Sequence, residues 1–327
     1  MKLTKFLITH PGMGLGILIC FVFIFFALFA SVLAPLVPNP ISPSQLLPEG
    51  IRYVPGIQEA VPQPPTKGSP LGTVPVFLSG GLFHQDVFYA TVWGCRSALR
   101  FGLIVAFGAA VLGTIIGAIS GYIGGLAEWL LMRTTDGFLT FPLIAGVILI
   151  SDLQFILLYP SGLPGFDTEI SIPMRLSPIF DILFSLEFVL VLFTWMPYAR
   201  LLNALVRQLK TSQFVEAARV IGVKNSRIIL RHLIPNCLSP VIVLISRDIG
   251  AVVLLQTTLS FVGFSGGSIW GDLLLKSRDY VIGLHGNPFL YWWVWVPICL
   301  TIVLFGMGWG LLGDGLNDLF NPRRRTA

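Results

Sequence analysis

Residues 101–121 read FGLIVAFGAAVLGTIIGAISG, a run of 21 residues without a charged side chain. About 20 predominantly apolar residues are enough for an α-helix to cross the hydrocarbon core of a bilayer. Similar runs recur along the chain, which has 327 residues, is 54% hydrophobic and is only 11% charged. An ordinary soluble domain carries roughly a quarter charged residues, so the composition predicts an integral membrane protein instead.

The apolar runs predict an all-α membrane protein with six transmembrane helices. The first run follows a short basic N-terminus, as in a secretory signal, but it is longer than the ~7–15 apolar residues of a signal core. We therefore expect it to remain as a helix. The six spans are predicted near residues 12–33, 98–121, 137–159, 179–198, 239–262 and 291–312.

The segment between the first two spans has a different composition. Eleven of the 23 prolines lie between Pro35 and Pro75. Proline interrupts helices and favours extended backbone, and irregular backbone cannot face lipid without leaving its amides unpaired. Residues 34–91 are therefore predicted to be an extended loop outside the bilayer.

The distribution of basic residues predicts the orientation of the chain. If each predicted span crosses the membrane once, the segments on one side of it are 1–11, 122–136, 199–238 and 313–327. These segments contain thirteen of the 21 Lys and Arg residues. By the positive-inside rule, that side is the cytoplasm, so both termini are expected there. Topology also explains the net charge of +5, and no nucleic-acid partner is indicated. The four cysteines show no CxxC spacing, so neither a disulfide framework nor a metal site is predicted.

Glycines recur every four residues in the second span, at Gly113, Gly117 and Gly121. Such a stripe of small residues allows another helix to approach closely. Gly306 and Gly310 form a similar pair in the sixth span.

Residues 216–236 read EAARVIGVKNSRIILRHLIPN and belong to the most basic segment of the chain. We predict a first short helix capped by Ser212, with Glu216 in the first turn, where a negative charge meets the positive helix end. Ala217 and Ala218 have almost no side chain, so a partner could approach the backbone there. A basic loop that only enforces topology is the simpler interpretation, but it requires neither the Glu-Ala-Ala face nor a nearby glycine.

The end of this segment predicts a second helix after a turn. Gly222 should interrupt the first helix, and Asn225 can cap the next one. Pro235 should end that second helix before the fifth span begins.

Glu216-Ala217-Ala218, Gly222 and His232-Leu233-Ile234-Pro235-Asn236 resemble the EAA loop of binding-protein-dependent ABC importer permeases, in the form of the peptide/nickel permease family. Four further fragments match this family in the expected order. They are Pro70–Thr73 with Asp86–Phe88, Trp195 with Tyr198–Arg200, Leu259–Phe261 with Trp270–Gly271, and Leu312–Leu316.

The resemblance implies the type I ABC importer permease (MetI-like) fold in the cell inner membrane. It implies a first helix at 1–34, an extracytoplasmic segment at 35–92, a five-helix core at 93–315 with the EAA loop at 199–238, and a basic tail at 316–327. The implied partners are a homologous permease forming a heterodimer, two ATPase subunits, an extracytoplasmic binding protein and membrane lipid. The residues implied to couple to the ATPase are Glu216, Ala217, Ala218, Gly222, His232 and Pro235.

The resemblance also implies that this chain is not an enzyme and binds no cofactor. ATP and Mg²⁺ would be used by the partner ATPases, and the sequence contains no GxxxxGK[ST] phosphate loop. The implied solute is a peptide or a related compound.

The chain departs from the family pattern in its external segment and its spans. About seven extra residues lie between Thr73 and Asp86, and His84-Gln85 replaces the usual Gly-Arg. Gln256 replaces the usual Glu.

Ionisable residues inside spans are candidates for function. Asp152, Arg247 and Asp248, with Gln256, are candidates for a polar translocation path. The alternative is that these side chains are locked in pairs between helices, for instance Asp152 with Arg247.

Two other classes of protein fit single features. Gly263-Phe264-Ser265-Gly266, with His285 downstream, matches the GxSG pattern of intramembrane serine proteases, although a glycine-rich turn is the favoured explanation, because such short motifs often match by chance. A self-sufficient secondary transporter would often show internal repeats, which the two halves of this chain lack.

Overall fold

The computed structural model describes residues 11–38, 46–78, 81–158, 185–264, 267–282, 287 and 289–320. These residues form two compact units. The first comprises residues 1–102 and 249–315, and the second comprises residues 103–248 and 316–327.

The described part of the chain is mostly helical. The helices are α1 Pro11–Leu28, α2 Ala30–Leu33, α3 Val87–Ile123, α4 Gly125–Thr140, α5 Leu143–Leu158, α6 Leu186–Thr194, α7 Met196–Leu209, α8 Gln213–Val220, α9 Asn225–Ile228, α10 Ile234–Val262, α11 Ile269–Ile282 and α12 Trp292–Phe320. The strands are β1 Tyr53–Val54, β2 Thr73–Leu78 and β3 Gly81–Asp86. A π-helical turn, Ile229–Leu233, joins α9 to α10.

Five helical stretches in the described residues are long and apolar enough to cross a membrane, and a sixth results if α4 and the first part of α5 count as one bent span. The five are Pro11–Leu28, Val87–Ile123, Leu186–Leu209, Asn225–Val262 and Trp292–Phe320. The predicted number of six corresponds to the upper count. Helix α3 begins at Val87, earlier than the predicted start near residue 98.

The bend between α4 and α5 is 85°. Phe141, which follows α4, has extended backbone angles of φ −76° and ψ 129°. The next residue, Pro142, disfavours the helical conformation in the residue before it and has no N–H to donate. The Phe141-Pro142 pair therefore accounts for the break.

Along the chain, a three-stranded antiparallel sheet with strand order β1-β3-β2 falls between α1 and α3. Strands β2 and β3 form a hairpin in which Thr73 pairs with Asp86 and Leu78 with Gly81. The prediction of an extended loop was therefore wrong for this part of the segment. The extra residues between Thr73 and Asp86 build the hairpin, and Pro75 is tolerated because β2 is an edge strand.

Buried polar side chains fix this sheet to the start of α3. Asp86 accepts a hydrogen bond from the Phe88 amide at 2.8 Å, which caps the helix, and others from Ser69 Oγ at 3.1 Å and Arg52 at 3.3 Å. His84 Nε2 donates to the Glu59 carbonyl at 2.8 Å. Burial lowers the pKa of His84, which favours its neutral form.

Aromatic side chains form the core of the first unit. The rings of Phe23 and Phe305 meet edge to face with centroids 5.1 Å apart, and Trp270 lies 5.8 Å from Phe305. Trp270 also donates to the Thr91 carbonyl at 3.2 Å. This packing joins α1, α3, α11 and α12.

The glycine stripe of α3 contacts α7 in the second unit, which confirms the predicted close approach. A Cβ atom at Gly121 would lie 2.8 Å from the Asn203 carbonyl, and one at Gly117 would collide with the Ala199 carbonyl. Gly310 differs, because a Cβ there would meet nothing within 4 Å in the described part of the chain.

Candidate functional site

Helix α8 follows a turn in which Ser212 occupies the N-cap position. Its hydroxyl donates to the Leu209 carbonyl at 2.5 Å, and its own carbonyl accepts from the Glu216 amide at 3.1 Å. The prediction that the Ser212 side chain caps α8 was therefore wrong within the described residues. Glu216 does lie in the first turn, where its charge favours the helix.

The Glu-Ala-Ala triad is divided between two faces of α8. Val215 and Ala218 are buried in the core of the second unit, whereas Glu216 and Ala217 are exposed. Residues three and four apart share a helix face. Ala218 therefore seats the helix, and the adjacent outer face carries Glu216 and Ala217.

Two large apolar side chains extend this outer face. Val220 is 87% exposed and Ile221 is 78% exposed. They lie four residues after Glu216 and Ala217, so the four side chains form one surface, here called the EAA face. Val220 and Ile221 were not among the predicted coupling residues. The signal that could have identified them is a pair of adjacent apolar residues in a segment predicted to lie outside the bilayer.

Gly222 terminates α8, as predicted. Its φ of +79° is a conformation that residues with a side chain adopt only with strain. The Gly222 amide donates to the Arg219 carbonyl at 3.0 Å, and the Val223 amide donates to the Ala218 carbonyl at 3.0 Å. These two bonds form a Schellman motif, which reverses the chain sharply.

The helix after this turn differs from the prediction at both ends. Asn225 is its first residue rather than its cap, and its side chain accepts a hydrogen bond from Tyr122. Pro235 does not end the helix, because α9, the π turn and α10 follow one another without interruption. The wider π turn has the Ile234 amide bonded to the Ile229 carbonyl, which gives room for the proline ring.

The remaining coupling candidate, His232, is half-buried in the π turn. Its backbone carbonyl accepts from the Asn236 side chain at 2.6 Å. Exposed basic residues surround the turn: Arg219, Lys224, Arg227 and Arg231.

The candidates for a translocation path differ in how exposed they are. Arg247 is exposed, and Asp248 is half-buried beside the Tyr198 hydroxyl. Gln256 is buried in the first unit. Asp152 belongs to α5, and its side chain lies outside the described residues, as do the protease candidates Ser265 and His285.

A cavity of about 450 Å³ lies between α4 and α7 in the second unit. Two ion pairs connect these helices: Arg207 with Glu128 at 2.9 Å and Arg200 with Asp136 at 3.8 Å. The pairs connect α4 to α7, the helix that leads into the turn before α8, and as partly exposed ion pairs they add little stability.

Long apolar helices and an exposed helix–turn segment define this chain as a multi-pass membrane protein. Residues 113–326, more than half of the chain, match the family of binding-protein-dependent transport system inner membrane components, and the chain belongs to this family. It is thus a transporter permease subunit of the inner membrane, and the family is not one of known enzymes.

Curated relatives are similar to this chain over about three quarters of its length. The dipeptide transport system permease protein of Alkalihalophilus pseudofirmus is 31% identical over 247 residues, covering 75% of this chain and 71% of the relative. The oligopeptide transport system permease protein of Haemophilus influenzae is 32% identical over 244 residues, covering 74% and 68%. The probable D,D-dipeptide transport system permease protein of Escherichia coli is 27% identical over 243 residues, covering 73% and 70%. These similarities support neither the protease nor the secondary-transporter interpretation.

Proposed function

We propose that the chain is the permease subunit of an ATP-driven importer that moves peptides from an extracytoplasmic binding protein across the membrane. The similarity to permeases named for dipeptide and oligopeptide transport supports the choice of solute. The complete importer would contain a homologous permease as the other half of a heterodimer and two ATPase subunits. Those subunits would use ATP and Mg²⁺, and this chain would bind no cofactor.

The proposed topology has six spans with both termini in the cytoplasm. It takes its third span, near residues 137–159, from the bent pair α4–α5, leaves residues 122–136 in the cytoplasm, and places residues 35–92 outside the cell membrane. The support is the excess of basic residues in the segments assigned to the cytoplasm, which include 199–238 and the tail 316–327. In this topology the five-helix core is residues 93–315.

The EAA face is the proposed contact with an ATPase subunit. The observation that carries this proposal is the exposure of Val220 and Ile221 next to Glu216 on a helix that is firmly seated by its other face. Exposed apolar surface of this kind is characteristic of interaction sites. Ala218 would act by seating the helix, Gly222 by forming the turn, and His232 and Pro235 by leading the chain into α10.

The solute path is proposed to include Asp152, Arg247, Asp248 and Gln256. Polar and ionisable side chains are energetically unfavourable within membrane spans, and those that occur there commonly have a function. This general tendency supports the proposal.

Substitutions in the EAA face and in the turn that follows it test the proposal. Gly222→Pro is incompatible with a φ of +79°, and Glu216→Lys reverses the exposed charge in the first turn of α8. We expect both variants to insert into the membrane but to lose peptide uptake and the stimulation of ATP hydrolysis by the loaded binding protein. The measurements are uptake of labelled peptide and ATPase activity in proteoliposomes containing the whole importer.

Asp279→Lys is the matched control, because Asp279 is also an exposed acid but lies on α11. It should leave uptake intact. Normal uptake in either EAA variant would disprove the proposed contact.

A further inference from the structure

Tyr122, near the end of α3, contacts both α8 and α9, the helices on either side of the Gly222 turn. Its hydroxyl donates to Asn225 Oδ1 at 2.7 Å, just after the turn. The guanidinium carbon of Arg219, near the end of α8, lies 5.2 Å from the centroid of the Tyr122 ring. One side chain thus contacts the chain on either side of Gly222.

The two residues before Tyr122 bind the chain ahead of α8. Lys210 Nζ donates to the Gly121 carbonyl at 3.1 Å, and Asn203 Nδ2 donates to Ser120 Oγ at 2.9 Å. The end of α3 is therefore bonded to the segment that enters α8 and to the segment that leaves it.

The glycine contacts limit the freedom of this junction. The backbones of α3 and α7 are in close contact along Gly113, Gly117 and Gly121. No space is left between the two helices that would allow one to move relative to the other. A displacement of α8 must then either move the end of α3 or break the contacts of Tyr122.

We propose that Tyr122 is a positioning residue that transmits movement of the EAA face to α3, and so couples the ATPase cycle to a membrane-crossing helix. The proposal rests on the proposed function, since it assumes that an ATPase moves α8. Tyrosine fits this position because the face of its ring contacts the Arg219 guanidinium while its hydroxyl donates to the side-chain oxygen of Asn225. Phenylalanine would keep the first contact and lose the second, and leucine would lose both.

The test uses the whole importer, with the partner permease, the ATPases and the binding protein, reconstituted in proteoliposomes. The probe is a labelled mixture of dipeptides and pentapeptides, and the readout is peptide imported per ATP hydrolysed. We expect this ratio to fall about threefold in Tyr122→Phe and about tenfold or more in Tyr122→Leu, because the first loses one contact and the second both. In Tyr122→Phe, ATPase co-purification and the melting temperature should stay at the values of the unaltered importer, so this variant carries the test where Tyr122→Leu also lowers stability.

Tyr89→Leu is the matched control. Tyr89 lies on the same helix, is buried, and has the Arg52 guanidinium 4.9 Å from its ring centroid, but it belongs to the first unit. Its substitution should leave the ratio unchanged. A ratio that falls equally in Tyr89→Leu and Tyr122→Leu would reduce Tyr122 to a packing role and overturn the proposal.

Asn225→Ala gives an independent measurement on the partner of the hydroxyl. Alone it should lower the ratio as much as Tyr122→Phe, and the double variant should be no worse than either. If the Tyr122 variants import normally while Glu216→Lys does not, the positioning role is wrong and the proposed function stands. If the unaltered importer fails to import the probe, the proposed function itself fails.

Discussion

Gly117 lies in the contact between α3 and α7, and the absence of a side chain is what permits that contact. A Cβ atom there would collide with the Ala199 carbonyl and lie 2.8 Å from Leu202 Cβ. Backbone atoms cannot move aside as a flexible side chain can. We therefore expect Gly117→Val to destabilise the purified protein by roughly 1–3 kcal/mol, the usual cost of overpacking.

The measurement is thermal unfolding in detergent, followed by the loss of monodisperse protein on size exclusion. Gly137→Val is the control, because a Cβ at Gly137 would meet nothing within 4 Å among the described residues. Equal melting temperatures for the two variants would show that the helix contact does not depend on Gly117.

Single residues differ in how far sequence predicts their role. The spacing of Gly113, Gly117 and Gly121 predicts a close helix contact, because the spacing itself places the glycines on one face. The hydrogen bonds of Ser212 and Asn225 were not predictable in the same way. Each side chain could cap a helix, but Ser212 donates instead to the Leu209 carbonyl, a local alternative three residues earlier. Asn225 accepts from Tyr122, a tertiary neighbour that sequence spacing does not reveal.

At the scale of elements, the motif located α8 but not its orientation. Glu-Ala-Ala predicts a helix with a small-residue face, yet Ala218 is buried and the outward face ends in Val220 and Ile221. Which side of a short helix is buried depends on packing against distant parts of the chain. The hairpin β2–β3 was missed for another reason: proline content suggested an extended loop, and an edge strand accommodates proline as well.

The hairpin itself offers a paired prediction, since neighbouring residues of a strand point to opposite faces. Val76 is 8% exposed and Phe77 is 71% exposed. Val76→Ser should destabilise the sheet by about 1.5–3 kcal/mol through lost apolar burial and an added hydroxyl. Phe77→Ser should change stability by less than about 0.5 kcal/mol, as expected for an exposed position.

Amide hydrogen exchange of peptides from the hairpin measures both effects in one experiment. Faster exchange is expected in Val76→Ser only. Faster exchange in Phe77→Ser alone would mean that the two faces of β2 are reversed.

At the scale of the whole molecule, composition alone predicts a membrane protein, because 11% charged residues cannot cover a soluble surface of this length. The count of spans is less determined by sequence. The Phe141-Pro142 break divides an apolar region into two helices, so the same residues give five straight spans or six with one bent.

Orientation can be tested with single cysteines on the two sides proposed here. In the chain expressed without the ATPases, a membrane-impermeant maleimide should label Phe77→Cys in right-side-out vesicles and Val220→Cys only in inside-out vesicles. Both positions are exposed, whereas the native Cys20, Cys95 and Cys237 are buried. The fourth native cysteine, Cys299, is half-buried, so both labelling experiments are done in a Cys299→Ser background. Co-expression of the ATPases should then shield Val220→Cys, because a docked subunit covers the EAA face. Labelling of Val220→Cys in right-side-out vesicles would invert the topology and, with it, exclude an ATPase contact at α8.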